Sequence, residues 1–466
     1  MTNDPNETSQ PTAGVPLTAS LVARAASLAE APLPDDVREL ARQCVLDWAG
    51  VALAGANEPL SRILLAQARE DGGAPIASLV GTPLRLSVRQ AALLNGAAGH
   101  AIDYDDANMA AQGHVTAAVL PAALAVGESR AASGDVLLRA FAAGYEMTGM
   151  VGQYLGRAHY ERGFHGTATV GSFGAACAAA VLMALDRDST AVALGIAGTQ
   201  AGGMKAQFGT MCKPLHAGKA NENGVTGAQL AARGFTGRAD LLEAAQGFAL
   251  ATSPAPDAQA ALAMPPGGTH LHNNLFKYHA ACYGTHSSIE AVRTLCEAHQ
   301  LTAADIERID LDVEPGAQRM CDIVQPATGL QAKFSLRLNA ALAVAGADTA
   351  SPATYIDSTA QRPDLIALRE RVAVHFMPDG WPLMQAAVRI LTRDGRTLSA
   401  RHDSGVPERD LARQRARLAR KFMALAAPVV GPDRAAAIER AIGALDHIED
   451  IGTLMSMLSQ PTGTTS

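Results

Sequence analysis

Residues 99–114, GHAIDYDDANMAAQGH, concentrate side chains that could take part in proton transfer. They contain the carboxylates of Asp103, Asp105 and Asp106 and end at His114, between alanine-rich apolar segments. Charged groups cost free energy inside a helical core unless they are paired, hydrogen-bonded or in contact with water. We therefore expect this segment to form one wall of an active site.

Four later polar segments stand out from apolar surroundings in the same way. They are residues 164–166 (FHG), 209–216 (GTMCKPLH), 277–286 (KYHAACYGTH) and 331–336 (QAKFSL). Histidine titrates near neutral pH and suits acid–base catalysis, and a lysine in an apolar cleft can hold an anion or lose its proton. The candidate residues in these segments are His165, Lys213, His216, Lys277, Cys282, Lys333 and Ser335.

The composition narrows the class of protein. The 466 residues carry a formal net charge of -7, and 48% are hydrophobic but only 4% aromatic. This favours closely packed helices over a β-sandwich and gives no basic surface for nucleic acid or an anionic membrane. Residues 167–185 are uncharged, but their many small residues predict a buried helix rather than a membrane span. We expect a cytoplasmic protein whose polar residues 1–14 form a disordered leader.

The six cysteines lie far apart, and none forms a CxxC pair. A disulfide framework, a structural zinc site and an iron–sulfur cluster all need thiols at closer spacing. We therefore predict none of these for this chain.

The elements that must position the candidate residues fall into three parts. Helical spacing of apolar residues runs through residues 15–268, with a polar break at 204–219 and helix again from 221. In residues 269–403, runs at 306–314, 371–376 and 386–399 predict strands, and helices are expected at 287–298 and 334–345. Residues 404–460 return to helix, with a closing pair at 407–458. We predict a mainly α protein, in which a large all-helical domain built from N- and C-terminal parts carries an inserted smaller α+β lid domain.

Taken in order, the five polar segments resemble those of the MmgE/PrpD superfamily, which includes 2-methylcitrate dehydratases, cis-aconitate decarboxylases and iminodisuccinate epimerases. The resemblance covers essentially the whole chain after the leader. It implies an active site between a helical domain and an α+β lid, and a homodimer. It also implies a site without metal or cofactor for a small anionic di- or tricarboxylate. The superfamily's catalytic aspartate, two histidines and two lysines correspond to Asp103, His114, His165, Lys213 and Lys277.

The resemblance also implies a separate role for the lysines and for the histidines. The superfamily makes or quenches a carbanion next to a carboxylate, so its site needs fixed positive charge and a proton carrier. Lys213 and Lys277 would hold the carboxylates and the developing charge, and each such placed group contributes about 10²–10³ in rate. Either His114 or His165 would carry the proton, and this choice stays open.

Each aspartate receives a separate expectation. Asp103 would orient a catalytic histidine and stabilise its protonated form. Asp105 and Asp106 would hydrogen-bond the backbone or a neighbouring lysine.

Cys282 separates the branches of the superfamily. The decarboxylase branch has a histidine about five residues after the lid lysine, where this chain has Cys282. This departure argues against decarboxylation. A thiol near Lys277 would be shifted toward thiolate and could exchange a proton in an epimerase.

We predict a cofactor-independent hydro-lyase of the 2-methylcitrate dehydratase kind. The alternatives, in order, are an epimerase or isomerase of a dicarboxylate such as iminodisuccinate, and a cis-aconitate-type decarboxylase. A carboxylate-binding protein without activity is the alternative from another class. His216, Lys333 and Ser335 are expected to contact the substrate.

Overall fold

The computed structural model describes residues 16–459, and most of them are helical. This confirms the prediction of a mainly α protein. The predicted leader, residues 1–14, and the end of the chain after residue 459 lie outside the described part. Within the described part, no helix is both long enough and apolar enough to cross a membrane.

Helices dominate the first half of the chain. The start of one of them shows how local sequence sets a boundary: the Ser87 hydroxyl accepts the Gln90 N–H, while the Gln90 side chain accepts the Ser87 N–H. This capping box begins the helix at Val88. The helices are α1 (Leu17–Glu30), α2 (Asp35–Gly55), α3 (Pro59–Asp71), α4 (Val88–Ala98), α5 (Val115–Ser129), α6 (Gly134–Glu161), α7 (Gly166–Thr169), α8 (Gly171–Leu182), α9 (Arg187–Gly198), α10 (Cys212–Ala231), α11 (Phe248–Thr252) and α12 (Ala258–Leu262).

Small residues allow the central helices to approach closely. Helix α8 is buried almost throughout and packs against α5, α6 and α10. A Cβ on Gly174 would lie 1.8 Å from the Thr148 Oγ1, and one on Gly144 would lie 2.6 Å from the Gly174 carbonyl oxygen. The predicted buried helix at 167–185 is therefore buried, but it divides into α7 and α8.

Two short strand pairs interrupt the predicted helices, and one helix starts earlier than predicted. Strands β1 (Ala77–Ser78) and β2 (Arg85–Leu86) pair with each other, and β3 (Ala107–Asn108) pairs antiparallel with β4 (Asn274–Leu275). The second pair brings the segment 99–114 beside Lys277. Helix α10 begins at Cys212 rather than at residue 221 as predicted, so Lys213 and His216 lie in its first turns.

A four-stranded sheet forms in the later part of the chain. Its order is β6-β5-β7-β8, with β5 and β6 parallel and the other neighbours antiparallel. Helices α13 and α16 pack against this sheet and against each other over an apolar core. The elements are α13 (His286–His299), β5 (Ile306–Val313), α14 (Ala317–Cys321), α15 (Gly329–Ala332), α16 (Leu336–Val344), α17 (Asp357–Ala360), α18 (Pro363–Arg369), β6 (Val372–Phe376), β7 (Gln385–Thr392) and β8 (Thr397–Asp403).

The chain then returns to the first group of helices. Helix α19 (Leu411–Val430) packs along α2, and it is followed by α20 (Pro432–Gly443) and α21 (Gly452–Leu458). The closing pair predicted at 407–458 is therefore three helices. The first starts at Leu411 because the Asp410 carboxylate accepts the Arg413 N–H and caps it.

The contact between α6 and α8 yields a prediction about stability. We expect Gly174→Ala to lower the free energy of unfolding by about 1–3 kcal/mol, because the added methyl group overlaps a side chain inside a closely packed crossing. Urea denaturation measures the change. Gly202→Ala is the matched control, since a Cβ there meets no atom within 4 Å. Equal effects of the two substitutions would contradict this account.

Candidate active site

One carboxylate lies at the centre of the predicted site. The Asp103 Oδ1 lies 2.8 Å from the Lys213 Nζ and 3.2 Å from the Lys277 Nζ. Lys277 also donates a hydrogen bond of 2.6 Å to the main-chain oxygen of Asp103. The structure therefore brings Asp103 together with two lysines that each lie more than a hundred positions later in the chain.

The backbone around Asp103 is unusual. Helix α4 ends at Ala98, and Gly99 follows so close to Trp48 that a Cβ would lie 2.1 Å from the indole nitrogen. Asp103 itself has a φ of 53°, in the left-handed region that residues with side chains rarely adopt. The surrounding contacts must hold this conformation.

The charge of Asp103 is fixed by its neighbours. Burial raises the pKa of this carboxyl, but the ammonium groups of Lys277 and Lys213 outweigh that effect and hold the pKa well below the usual range. The side chain is 54% exposed, and it faces the cavity described below rather than open solvent. Burial lowers the pKa of Lys277, but Asp103 and Asp105 outweigh it, so that this pKa is raised. Asp103 and Lys277 are therefore both charged at neutral pH.

A second carboxylate, that of Asp105, contacts two histidines. The His100 Nδ1 lies 2.9 and 3.1 Å from the two Asp105 oxygens, and the His114 Nδ1 lies 3.2 Å from Oδ2. The first contact is an aligned hydrogen bond, whereas the second is an ion-pair contact off the hydrogen-bond axis. Burial lowers the pKa of His100 to about 4, so this ring is neutral.

Asp105, rather than Asp103, is the residue that orients a histidine. The His114 Nε2 lies 3.6 Å from the Asp103 Oδ1, which is farther than its Nδ1 lies from Asp105. The expectation that Asp105 would bind the backbone or a lysine is therefore wrong. Asp106 accepts hydrogen bonds from the side chains of Thr116 and Asn274, so the same expectation is wrong there.

His165 and His216 form a second histidine contact. Their Nδ1 atoms are 3.1 Å apart, and the Phe208 ring packs edge-on against His165 at 4.9 Å. Burial is the main cause that lowers the pKa of His165 far below its usual value, and it lowers that of His216 as well. His165 therefore lines the cavity as a neutral ring. His216 contacts it from the side away from the cavity.

Cys282 lies beside a second cysteine. The neighbouring Cys321 thiol is the main cause that lowers the pKa of Cys282, and the same contact raises the pKa of Cys321. Lys277 lowers the pKa of Cys282 further, as the sequence led us to expect. Of this pair, Cys282 is the thiol that lines the cavity.

These groups surround a cavity of about 630 Å³ between the first group of helices and the sheet region. His216 and Ser335 were expected to contact the substrate, but the structure places both outside the cavity. Ser335 instead caps α16 by accepting the Leu338 N–H. The predicted residues that line the cavity are Asp103, His114, His165, Lys213, Lys277, Cys282 and Lys333.

Four side chains in this region are also close enough to bind a metal ion. Ligand atoms of His100, Asp103, Asp105 and His114 lie within 4.8 Å of one another. Two ammonium groups already contact the Asp103 carboxylate, and they would repel a divalent cation held there. The charge distribution therefore favours an anionic ligand at this end of the cavity.

The fold and the cavity define a class: a mainly helical protein in which two lysines paired with one aspartate, and a histidine beside a second aspartate, face the same cavity. Comparison with protein families identifies the class further. Residues 19–261 match the MmgE/PrpD N-terminal domain, and residues 279–447 match the MmgE/PrpD C-terminal domain. The chain belongs to the MmgE/PrpD family.

Individual relatives match the chain over most of its length. It is 28% identical to a cis-aconitate decarboxylase of Aspergillus terreus over 94% of each chain, and 27% identical to that of Homo sapiens over 92% of each. The cis-aconitate decarboxylase-like protein oryM of Aspergillus oryzae is 31% identical over 60% of this chain and 61% of its own.

The charge arrangement predicts binding of an anion rather than a metal. We expect tricarballylate, an unreactive tricarboxylate, to raise the melting temperature, because bound ligand stabilises the folded state. Dialysis against EDTA should leave the melting temperature unchanged. Differential scanning calorimetry measures both effects.

The control for this experiment lies on the same helix. Lys213→Met should reduce the rise caused by tricarballylate, whereas Lys219→Met should not, because Lys219 pairs with Glu222 on the surface. Equal loss in both variants, or a fall in melting temperature after EDTA treatment, would contradict the assignment.

Buried histidines predict acid sensitivity. Burial lowers the pKa of His159 to about 4. Between about pH 6.5 and pH 4 this histidine therefore binds a proton in the unfolded chain but not in the folded chain. This contribution lowers stability progressively as the pH falls from 6.5 to about 4. We expect His159→Gln to flatten the pH dependence of the unfolding free energy over that range, measured by urea denaturation. The exposed His447→Gln should leave the slope as it is in the wild type.

Proposed function

We propose that the protein is a cofactor-independent lyase that transfers a proton at the carbon next to a carboxylate of a small di- or tricarboxylic acid. One observation supports this most directly. The two ammonium groups at Asp103 and the His114 imidazole beside Asp105 open into the same cavity. Such a site can stabilise a carboxylate-derived carbanion and move a proton to or from it.

Three lysines would bind the substrate. A substrate carboxylate placed near Asp103 would share the ammonium groups of Lys213 and Lys277, which Asp103 holds in place. Lys333 lines the same cavity, and its ammonium has no hydrogen bond or ion pair within residues 16–459. Burial lowers the pKa of Lys333, and a carboxylate bound beside it would raise that pKa. We assign Lys333 to a second carboxylate of the substrate.

His114 is our candidate for the proton carrier. It lines the cavity, and Asp105 behind it can compensate the positive charge that the ring gains during transfer. His165 stays neutral because of its burial, and we assign it to a hydrogen bond with the substrate. His216 would act by positioning His165.

Dehydration is the first candidate reaction. A base takes the proton from the carbon next to a carboxylate, the electron pair forms a double bond, and the hydroxyl leaves as water after taking up a proton. Both transfers need a group in the cavity, and His114 and His165 offer two rings there. Cys282, at the position where the decarboxylase branch has a histidine, favours this reaction over decarboxylation.

Decarboxylation is the second candidate, because relatives that match the chain over more than nine-tenths of its length are named cis-aconitate decarboxylases. In that reaction a carbon–carbon bond breaks, carbon dioxide leaves, and the carbanion takes up one proton. The same lysines and one histidine are sufficient for it.

The proposal extends to the arrangement of the chain. We propose that residues 269–403 form a lid inserted into a helical domain, and that the cavity lies between the two. We also propose a homodimer and a cytoplasmic location, as for the superfamily that the sequence resembles.

Proton NMR in D₂O tests the reaction directly. The substrates are citrate, 2-methylcitrate, cis-aconitate and iminodisuccinate, each incubated with the purified protein. Loss of water identifies a dehydratase, release of carbon dioxide a decarboxylase, and deuterium uptake with inversion an epimerase. Binding of these acids without turnover of any would contradict the proposed activity and favour a carboxylate-binding protein.

Two substitutions test the assigned roles on whichever acid reacts. We expect His114→Gln to lower kcat by about 10²–10⁴, because it removes the proton carrier. Cys282→Ser should leave the kcat of a lyase close to that of the wild type. A large loss in Cys282→Ser with little loss in His114→Gln would contradict the lyase assignment and support an epimerase.

A further inference from the structure

A buried ion pair lies directly behind the site. The Lys421 Nζ, from α19, is 2.5 Å from the Asp47 Oδ1, from α2, and each side chain is only 1% exposed. A buried ion pair is costly unless further hydrogen bonds satisfy its groups. Neither side chain lines the cavity, so neither can touch a substrate.

The lysine also binds the backbone of the site. Its ammonium donates to the main-chain oxygens of Tyr104, at 2.6 Å, and of Lys277, at 2.9 Å, and lies 4.0 Å from the centre of the Tyr104 ring. Tyr104 directly follows Asp103 in the chain. One ammonium group therefore joins the two segments whose side chains form the central ion pair.

The hydrogen bonds of Lys277 and Lys421 together hold the backbone on both sides of the Asp103–Tyr104 peptide bond. Lys277 donates to both the side chain and the main-chain oxygen of Asp103, and Lys421 holds the next main-chain oxygen. Asp103 has the left-handed backbone conformation, which persists only where its surroundings determine it. An apolar side chain at 421 could fill the space but could not hold either oxygen.

We propose that Lys421, charge-balanced by Asp47, is a positioning residue that sets the distance between the Asp103 carboxylate and the Lys277 ammonium. It fixes in this way where the substrate carboxylate lies relative to the proton carrier. The inference rests on the proposed function, because it assigns Lys421 a role in the same site. This role differs from that of a lysine that only stabilises the fold, because its loss would change kcat as well as stability.

Comparison of single and double variants separates the two roles. Lys421→Met leaves the Asp47 carboxylate buried and unpaired, so both the melting temperature and kcat should fall. Adding Asp47→Leu removes that charge, and the melting temperature should rise again. The kcat should stay about 100-fold below the wild type, because two main-chain oxygens of the site remain unheld and a shift of about 1 Å costs that much. Recovery of kcat together with the melting temperature would overturn the proposal.

Lys421→Arg decides the question if the double variant does not fold. It keeps the charge opposite Asp47, but a planar guanidinium cannot direct its N–H groups as an ammonium does. We expect a melting temperature near that of the wild type with a reduced kcat and little change in KM. Wild-type kcat in this variant would overturn the proposal.

A second ion pair on α2 provides the matched control. Arg42 pairs with Asp446 across the same group of helices, and neither residue lines the cavity. Arg42→Met combined with Asp446→Leu should leave kcat unchanged. Equal losses of kcat in this control and in the Lys421 double variant would overturn the proposal.

Failure of the proposed function is recognised separately. If the wild type turns over none of the acids, that function is contradicted. The positioning role is then measured as the affinity for tricarballylate by calorimetry. We expect the Lys421 double variant to bind about tenfold more weakly, the equivalent of one lost charge-assisted hydrogen bond. Wild-type affinity would overturn the inference.

Discussion

The structure depends on the compensation of one carboxylate by two lysines from different halves of the chain. Asp103 contacts Lys213 from the N-terminal family domain, and Lys277 from the segment just before the C-terminal family domain. Three charges near an apolar cavity would each be unfavourable alone, and together they are satisfied. The contact therefore requires that the first turn of α10, the loop after α4 and the segment after β4 meet at one point.

The histidines depend on the same compensation. Asp105 can hold His100 and His114 because the neighbouring carboxylate is already neutralised by ammonium groups. The site therefore contains the charged groups of Asp103 and Lys277 beside the rings of His100 and His165, which burial keeps neutral. In the function that we propose, an anionic ligand would balance the charge of Lys333 and exchange a proton with His114.

Much of this was accessible from the sequence, and the parts that were not have identifiable physical causes. The helical first half and the strands of the sheet followed from periodicity, and polar segments together with the superfamily resemblance pointed to seven side chains that line the cavity. The roles of Asp103 and Asp105 were not accessible. Two carboxylates in one loop differ by the direction of their side chains, and the left-handed backbone at Asp103 sets that direction. Ser335 and His216 lie in polar segments like the others, but one caps a helix and the other supports a ring.

Helix α19 closes the molecule against α2 and supplies an ammonium group to the backbone of the site. Translation proceeds from the N-terminus to the C-terminus, so α19 is synthesised after every other part of the site. The earlier helices can associate as they emerge. Until α19 arrives, Asp47 lacks the counter-charge of Lys421, and the main-chain oxygen of Tyr104 lacks its donor. A partly synthesised chain that ends before α19 therefore holds every residue that lines the cavity, but it lacks the ammonium group that binds the backbone at Tyr104 and Lys277.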